Sequence, residues 1–173
     1  GDHFNNIAVF GLAVQAAGPG MVVTGVMLAR AISAVMAGPL AGVLLDRMDR
    51  KRIMIASDLV RAVVALLFIY TAGRPDSWLL YLLSALLMFA SPFFTSGRAS
   101  ILPTIASKEE LHTANATTQI TQWLTLTVGT FLGGTAAAHV GYEMAFVFNA
   151  LSFLFSAWCI WRLHPPAAAV REE

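Results

Sequence analysis

The feature that most constrains this chain is its division into long apolar blocks that are separated by short, charged connections. A helix needs about 20 largely apolar residues to cross a bilayer, because each residue advances it by about 1.5 Å. Five blocks have this length, and a sixth block near the start is shorter. Charged residues make up 12% of the chain, about half the share of a soluble domain. The sequence therefore predicts an all-α integral membrane protein.

The predicted transmembrane bundle occupies residues 1–164 and contains six helices. They cover approximately residues 3–17, 21–45, 53–72, 78–103, 114–140 and 144–162. In the first helix the apolar run extends only from Ile7 to Ala17 and is interrupted by Gln15, which predicts that the sequence starts inside a longer helix. Pro165 and Pro166 are expected to end the sixth helix, and residues 165–173 are expected to begin a cytoplasmic linker or tail.

Two connections carry further detail. Residues 46–52 form a strongly charged stretch between the second and third helices, and we expect a turn there. Ser107 and Glu110 have the spacing of a helix capping box, in which each side chain bonds the backbone N–H of the other residue. We expect this box to open a short amphipathic stretch before the fifth helix.

The distribution of basic residues predicts the orientation. Loops of transmembrane proteins that remain in the cytoplasm are enriched in Lys and Arg. The connections after the even-numbered helices hold Arg47, Arg50, Lys51, Arg52, Lys108, Arg162 and Arg171. The opposite side offers only Arg74. We therefore expect a multi-pass protein of the plasma (inner) membrane with both termini in the cytoplasm.

Residues 42–52 form the strongest local motif, Gly-Val-Leu-Leu-Asp-Arg-Met-Asp-Arg-Lys-Arg. Gly42 lets another backbone approach closely. Asp46 stands at a helix C-terminus, where the helix dipole disfavours a negative charge, so it needs a partner. Arg50 or the N-terminus of another helix could serve. The neighbouring cations are expected to anchor this stretch at anionic lipid headgroups.

This motif resembles the loop between the second and third helices of the major facilitator superfamily. The sequence around the motif is also similar to that family, at residues 28–30, 38–42, 58–62, 98–103 and 110–115. Together these stretches resemble the branch that contains enterobactin-exporter-like permeases. Asp49 stands where the general loop favours Gly, a departure that is common in that branch. The resemblance covers nearly the whole chain but only the N-terminal six of twelve helices. It implies two inverted three-helix repeats, helices one to three and four to six.

In that family the loop acts as a cytoplasmic gate whose acid meets a helix of the second half. The resemblance carries this role to Gly42, Asp46, Arg47, Arg50 and Lys51, and we call residues 42–52 the gate loop. The second half is absent from these 173 residues, so Asp46 would lack that partner here.

Charges inside membrane helices need an explanation, because each costs about 2.5–3.5 kcal/mol at a helix centre. Arg30 is predicted in the outer half, either contacting substrate or a gate, or reaching the outer headgroups or pairing with Asp2. Asp58 and Arg61 share one helix face and can pair with each other or with the gate loop, which favours a structural role. Arg98 either faces a cavity, where the family resemblance implies an influence on proton or anion binding, or reaches the inner headgroups.

Polar residues on two helices complete the candidate pathway. The resemblance places Asp2, Asn5 and Asn6 on the part of the first helix that lines the cavity of such transporters, with Asp2 as a candidate proton site. Gln119 and Gln122 belong to a polar surface on the fifth helix that either lines an aqueous path or bonds to neighbouring helices.

Small residues further along the fifth helix suggest a packing surface. Gly129, Gly133 and Gly134 have the spacing of a close helix–helix contact. The stretch partly resembles the antiporter motif of the fifth helix, but Thr130 stands where that pattern often has Pro. Plain packing is the favoured interpretation.

Other chemistries lack support in the sequence. The four histidines are scattered and show no metal-ligand spacing, and no phosphate-binding Gly-Lys-Ser/Thr loop occurs. The basic residues lie at membrane boundaries rather than on one nucleic-acid-binding face. We expect no enzyme activity, no cofactor, no metal site and no nucleic-acid partner.

The sequence thus predicts the N-terminal half of a secondary-active transporter that moves a small molecule by alternating access, either proton-coupled or facilitated. Outward movement follows from the resemblance alone. Its expected partners are the bilayer, the substrate, and either a C-terminal half or a second copy of the chain. One alternative is a half-size transporter that works as a homodimer. The other is a membrane scaffold that transports nothing.

Overall fold

The computed structural model describes residues 9–11, 20–71, 77–105, 107–139 and 142–163, and every element within these ranges is an α-helix. Residues 9–11 are helical and are labelled α1. The remaining elements are α2 (Met21–Arg47), α3 (Arg50–Thr71), α4 (Ser77–Ile105), α5 (Lys108–His139) and α6 (Tyr142–Arg162). The predicted all-α class and the order of six helical segments are confirmed.

The connection between α2 and α3 is tighter than the charged stretch 46–52 suggested. Only residues 48 and 49 lie between the two helices. Asp49 caps α3, because its Oδ1 accepts hydrogen bonds from the backbone N–H groups of Lys51 at 2.9 Å and Arg52 at 3.4 Å. This cap explains why α3 starts at Arg50, three residues before the predicted boundary.

The capping box at Ser107 forms as predicted, but it opens α5 itself and not a separate amphipathic stretch. The Ser107 N–H donates to the Glu110 carboxylate at 3.1 Å, and the Glu110 N–H donates to the Ser107 hydroxyl at 3.2 Å. The box satisfies two N–H groups that a helix start otherwise leaves without partners, so α5 continues unbroken from Lys108.

Four described helices are long and apolar enough to cross a membrane: Met21–Arg47, Arg50–Thr71, Trp78–Pro103 and Glu143–Arg162. Helix α5 is long enough but less apolar, because Thr and Gln side chains interrupt its first half. Large apolar side chains elsewhere, such as Val35, Phe155 and Trp161, point outward, as expected where a bundle faces lipid.

Helix α3 is the centre of the described bundle and packs along both α4 and α6, while α2 packs on α4. The contact of α3 with α6 is consistent with two three-helix repeats, since each of these helices is the third helix of its repeat. An apolar cluster fills the end away from the gate loop, where Phe68 and Phe146 stack with ring centroids 5.1 Å apart.

Two helices differ from this close packing. At Gly97 on α4, an added Cβ would lie 2.6 Å from Cγ of Met54, so α3 and α4 approach each other there. By contrast, α5 touches α4 and α6 only sparsely among the described residues. The bundle therefore has a tightly packed side and a loosely packed side.

Candidate functional site

A cavity of about 640 Å³ lies between the packed core and α5. Its lining residue Asp58 is about 12 Å along α3 from Arg50, the first residue of that helix, and Arg98 is close to the C-terminal end of α4. The cavity is therefore in the half of the bundle that carries the gate loop, which we call the loop end. Its walls come from α3 (Asp58, Arg61), α4 (Phe94, Thr95, Arg98), α5 (Thr117, Thr118, Gln119, Thr121, Gln122, Trp123, Thr125, Leu126) and α6 (Ser152, Phe153, Ser156).

A buried ion pair between Asp58 and Arg61 lines part of the cavity. The Arg61 guanidinium donates a hydrogen bond to the Asp58 carboxylate, and neither side chain is more than 3% exposed. The rings of Phe94 and Phe153 lie on the guanidinium, each with its centroid 4.6 Å from Cζ. A cation so placed is attracted to the negative faces of both rings.

The predicted pairing of Asp58 with Arg61 is confirmed, because residues three apart on a helix lie on one face. The gate loop was the alternative partner, but its Arg50 and Lys51 bond to carbonyls of α4 and α6 instead. Sequence reasoning missed the aromatic sandwich. Phe94 and Phe153 belong to different helices, and nothing in their local sequence distinguishes them from lipid-facing phenylalanines.

Arg98 faces the cavity and is half-buried. It makes no hydrogen bond or ion pair with any residue that the structure describes. Of the two predicted alternatives, the structure thus places Arg98 at a cavity. The described part of the cavity wall contains two guanidinium groups and one carboxylate, with a net positive charge.

The polar side of α5 lines the same cavity, including the predicted pathway residues Gln119 and Gln122. Thr121 donates its hydroxyl proton to the Thr117 carbonyl within the helix at 2.8 Å. Neither glutamine bonds to a neighbouring helix within the described part of the chain. The aqueous path along these residues stays a prediction.

Arg30 is not among the described residues that line this cavity. Arg30 is buried, with 8% exposure, on the face of α2 that also carries Val26 and Ala37. Which of the predicted roles Arg30 has stays a prediction. Asp2, Asn5 and Asn6 lie outside the described residues.

The predicted packing glycines of α5 are only partly visible. An added Cβ at Gly129 would meet no atom of the described chain within 4 Å. The surroundings of Gly133 and Gly134 fall outside the described residues. A packing role for this stretch stays a prediction.

The gate loop is fastened to the ends of two other helices. Nη1 of Arg50 donates to the Ser100 carbonyl near the end of α4 at 2.9 Å. Nζ of Lys51 donates to the carbonyls of Trp161 at 2.7 Å and Leu163 at 2.6 Å, at the end of α6. A cation at a helix C-terminus is stabilised by carbonyls that have no partner within the helix and by the helix dipole.

Gly42, Asp46 and Arg47 form an exposed part of the gate loop. Asp46 and Arg47 are exposed and make no hydrogen bond or ion pair with described residues. Arg50 does not pair with Asp46, because the short connection directs Arg50 toward α4. An added Cβ at Gly42 would also find open space next to the described chain. The site therefore has a cavity on one side and an unpartnered gate-loop surface on another.

The sequence model of the Major Facilitator Superfamily matches residues 4–173. The chain belongs to this superfamily. Its membership agrees with the four apolar helices, the gate-loop motif and the polar cavity. Membership confirms the predicted resemblance to this superfamily.

Two curated proteins from Bacillus subtilis (strain 168) are similar to this chain. The "Uncharacterized MFS-type transporter YfiS" is 29% identical over 158 residues, which are 91% of this chain and 37% of YfiS. The "Putative bacilysin exporter BacE" is 30% identical over 158 residues, 88% of this chain and 38% of BacE. The chain thus spans less than two-fifths of the length of these relatives. No solved structure matches it.

Proposed function

We propose that this chain is the N-terminal six-helix half of a secondary-active transporter from the enterobactin-exporter-like branch, and that it moves a small molecule outward by alternating access. The observation that carries the proposal is the polar cavity at the loop end, which contains Arg98 and the glutamines of α5. Similarity to a protein named as an exporter supports the outward direction.

The free-energy cost of keeping polar side chains around this cavity supports transport over a purely structural role. Charged and polar side chains inside a membrane bundle are expensive, and they are retained where they serve a solute path. Asp58 and Arg61 satisfy much of each other's charge, so packing alone explains them. Arg98, Gln119 and Gln122 find no such partners among the described residues, and a passing solute would supply them.

The gate loop supports the assignment to one half of a larger bundle. Arg50 and Lys51 hold the loop against α4 and α6. Asp46, Arg47 and Gly42 are left on a surface where a second bundle could dock. In this proposal the protein lies in the plasma (inner) membrane. Its loop end faces the cytoplasm, and both termini lie on that side.

Reconstitution into sealed vesicles tests the proposal. The chain alone, and the chain extended through the reading frame that follows Glu173, are reconstituted with an imposed proton gradient. Flux is followed with three fluorescent probes of matched structure: dansylglycine (an anion), dansylglycinamide (neutral) and dansylcadaverine (a cation). We expect flux only from the extended chain, with loss of most flux in its Arg98→Ala variant. Dependence on the gradient would separate proton coupling from facilitated movement.

Two outcomes would contradict the proposal. Flux from the chain alone, lost in Arg98→Ala, would identify the half-size homodimer as the working unit. Absence of flux from both folded and inserted forms would favour the scaffold.

A further inference from the structure

We propose that the cavity selects amphipathic monoanions, and that Arg98 is the residue that recognises their carboxylate or similar oxyanion. This inference rests on the proposed function and names the substrate class of the same cavity. Three independent properties of the cavity wall carry it: its charge, its hydrogen-bonding groups and its apolar surface.

The charge of the wall comes from three side chains. Asp58 and Arg61 pair with each other, and the rings of Phe94 and Phe153 also contact the Arg61 guanidinium. Asp58 forms no ion pair with Arg98. The residues described on α5 and α6 around the cavity contribute hydroxyl, amide and apolar groups but no charge. Among the described lining residues, Asp58 balances the charge of Arg61, and the positive charge that remains is that of Arg98.

A guanidinium suits this task because its planar set of N–H donors matches a carboxylate in two-point contact. Lysine would offer only a point charge. Burying an unpaired cation is costly, and a bound anion would remove that cost. The same charge repels organic cations, so the cavity discriminates by both attraction and repulsion.

Hydrogen-bonding groups surround the cation. The amides of Gln119 and Gln122 line the cavity without a described partner and provide both donors and acceptors. Ser152 differs, because its hydroxyl donates to the Asn149 carbonyl at 2.7 Å and is left only to accept. The free donors therefore come mainly from Arg98 and α5, which would hold the anionic group between α4 and α5.

The apolar part of the wall accounts for an amphipathic ligand. Phe94, Trp123 and Leu126 border the same space. A cavity of about 640 Å³ falls in the range of pockets that hold drug-sized molecules, about 300–1,000 Å³. Its size and lining fit a small organic acid with an aromatic or aliphatic body better than an inorganic anion.

Equilibrium binding tests the inference separately from transport. The full chain in lipid nanodiscs is titrated with the same three dansyl probes, and signal from empty nanodiscs is subtracted. We expect dansylglycine to bind at least about tenfold more tightly than dansylglycinamide, as for a hydrogen bond to a charged group, and dansylcadaverine to bind most weakly.

Variants then assign the preference to Arg98. Arg98→Gln should remove the tenfold preference for the anion over the neutral probe, and Arg98→Lys should retain part of it. Arg162→Gln is the matched control, because it removes the same charge from an exposed position outside both the cavity and the gate loop. It should leave the preference unchanged.

Equal binding of the three probes, a preference for the cation, or no binding of any probe would overturn the inference. The comparison among probes uses the unmodified chain and does not depend on any variant folding. Anion preference without flux from the extended chain would leave this inference standing and remove the proposed transport. Flux without anion preference would do the reverse.

Discussion

Helices α3 and α5 both carry polar residues into the membrane bundle, and they use them in opposite ways. On α3, Asp58 and Arg61 pair inside the protein, and the Ser57 hydroxyl donates to the Ala90 carbonyl of α4 at 2.7 Å. On α5, the side chains of Gln119 and Gln122 face a cavity or remain exposed.

The difference follows from how each helix packs. Helix α3 is enclosed between α4 and α6, so a polar group on it must find a protein partner or pay a large desolvation cost. Helix α5 touches its described neighbours only sparsely, so its polar groups can remain available to water or a solute. A polar residue in a membrane helix therefore has a structural role in the first case, and in the second case it is available for the proposed pathway.

The largest test of this comparison breaks the α3 ion pair. Asp58→Asn removes one charge and leaves the buried Arg61 without its carboxylate, which should lower the free energy of unfolding by about 3–5 kcal/mol. Gln122→Leu makes a polar-to-apolar change on α5 and should alter it by less than about 0.5 kcal/mol. Denaturant unfolding in mixed micelles measures both.

A double variant serves as the control for the ion pair. Replacing both partners, Asp58→Leu with Arg61→Met, should recover most of the loss, because no buried charge is left unpaired. If Asp58→Asn costs no more than Gln122→Leu, the distinction between the two helices fails.

A smaller effect comes from adding one methyl group to a glycine on each side of the bundle. Gly97→Ala forces a Cβ to within 2.6 Å of Met54 Cγ and should destabilise the protein by about 1–3 kcal/mol. Gly129→Ala meets open space next to the described chain, and alanine is the better helix former, so it should be neutral or stabilising by up to about 1 kcal/mol. Thermal unfolding of the two variants provides the comparison.

The sign of the Gly129→Ala effect also tests the predicted packing stretch of α5. A loss of stability there would show that Gly129 contacts another helix, as the small-residue spacing suggested. The loosely packed description of α5 would then be incomplete.

The smallest expected effect concerns the start of α5. The hydrogen bonds from the backbone N–H and the hydroxyl of Ser107 hold the pKa of Glu110 below its usual value of 4.5. A lowered pKa means that the carboxylate stabilises the folded helix start above the unfolded pKa. This contribution is lost as the pH falls through the folded pKa.

Amide hydrogen exchange at residues 107–111 checks this expectation. Protection should be full near neutral pH and should decrease as the pH falls below about 4.5. Ser107→Ala should remove most of that pH dependence. Helix α3, which Asp49 caps and which is packed on two sides, should show much less change at its first turn. An equal response at both helix starts would contradict the contrast.

The sequence by itself determined the features that depend on local chemistry. Long apolar blocks specify transmembrane helices whichever helices pack beside them. In a bilayer the backbone N–H and C=O groups must form their hydrogen bonds within the segment. Residue spacing alone placed Asp58 and Arg61 on one face and gave the Ser107 capping box. The gate-loop motif identified the superfamily before any contact was known.

The tertiary structure decided what only neighbouring helices can supply. It placed Phe94 and Phe153 on Arg61, directed Lys51 to the end of α6, and set Arg98 against the polar face of α5. It also separated the buried Arg30 from that cavity. The physical reason is that an intramembrane charge has the same local sequence signal whether it meets lipid, an ion partner or a cavity. Only the packing of residues distant in sequence distinguishes these environments.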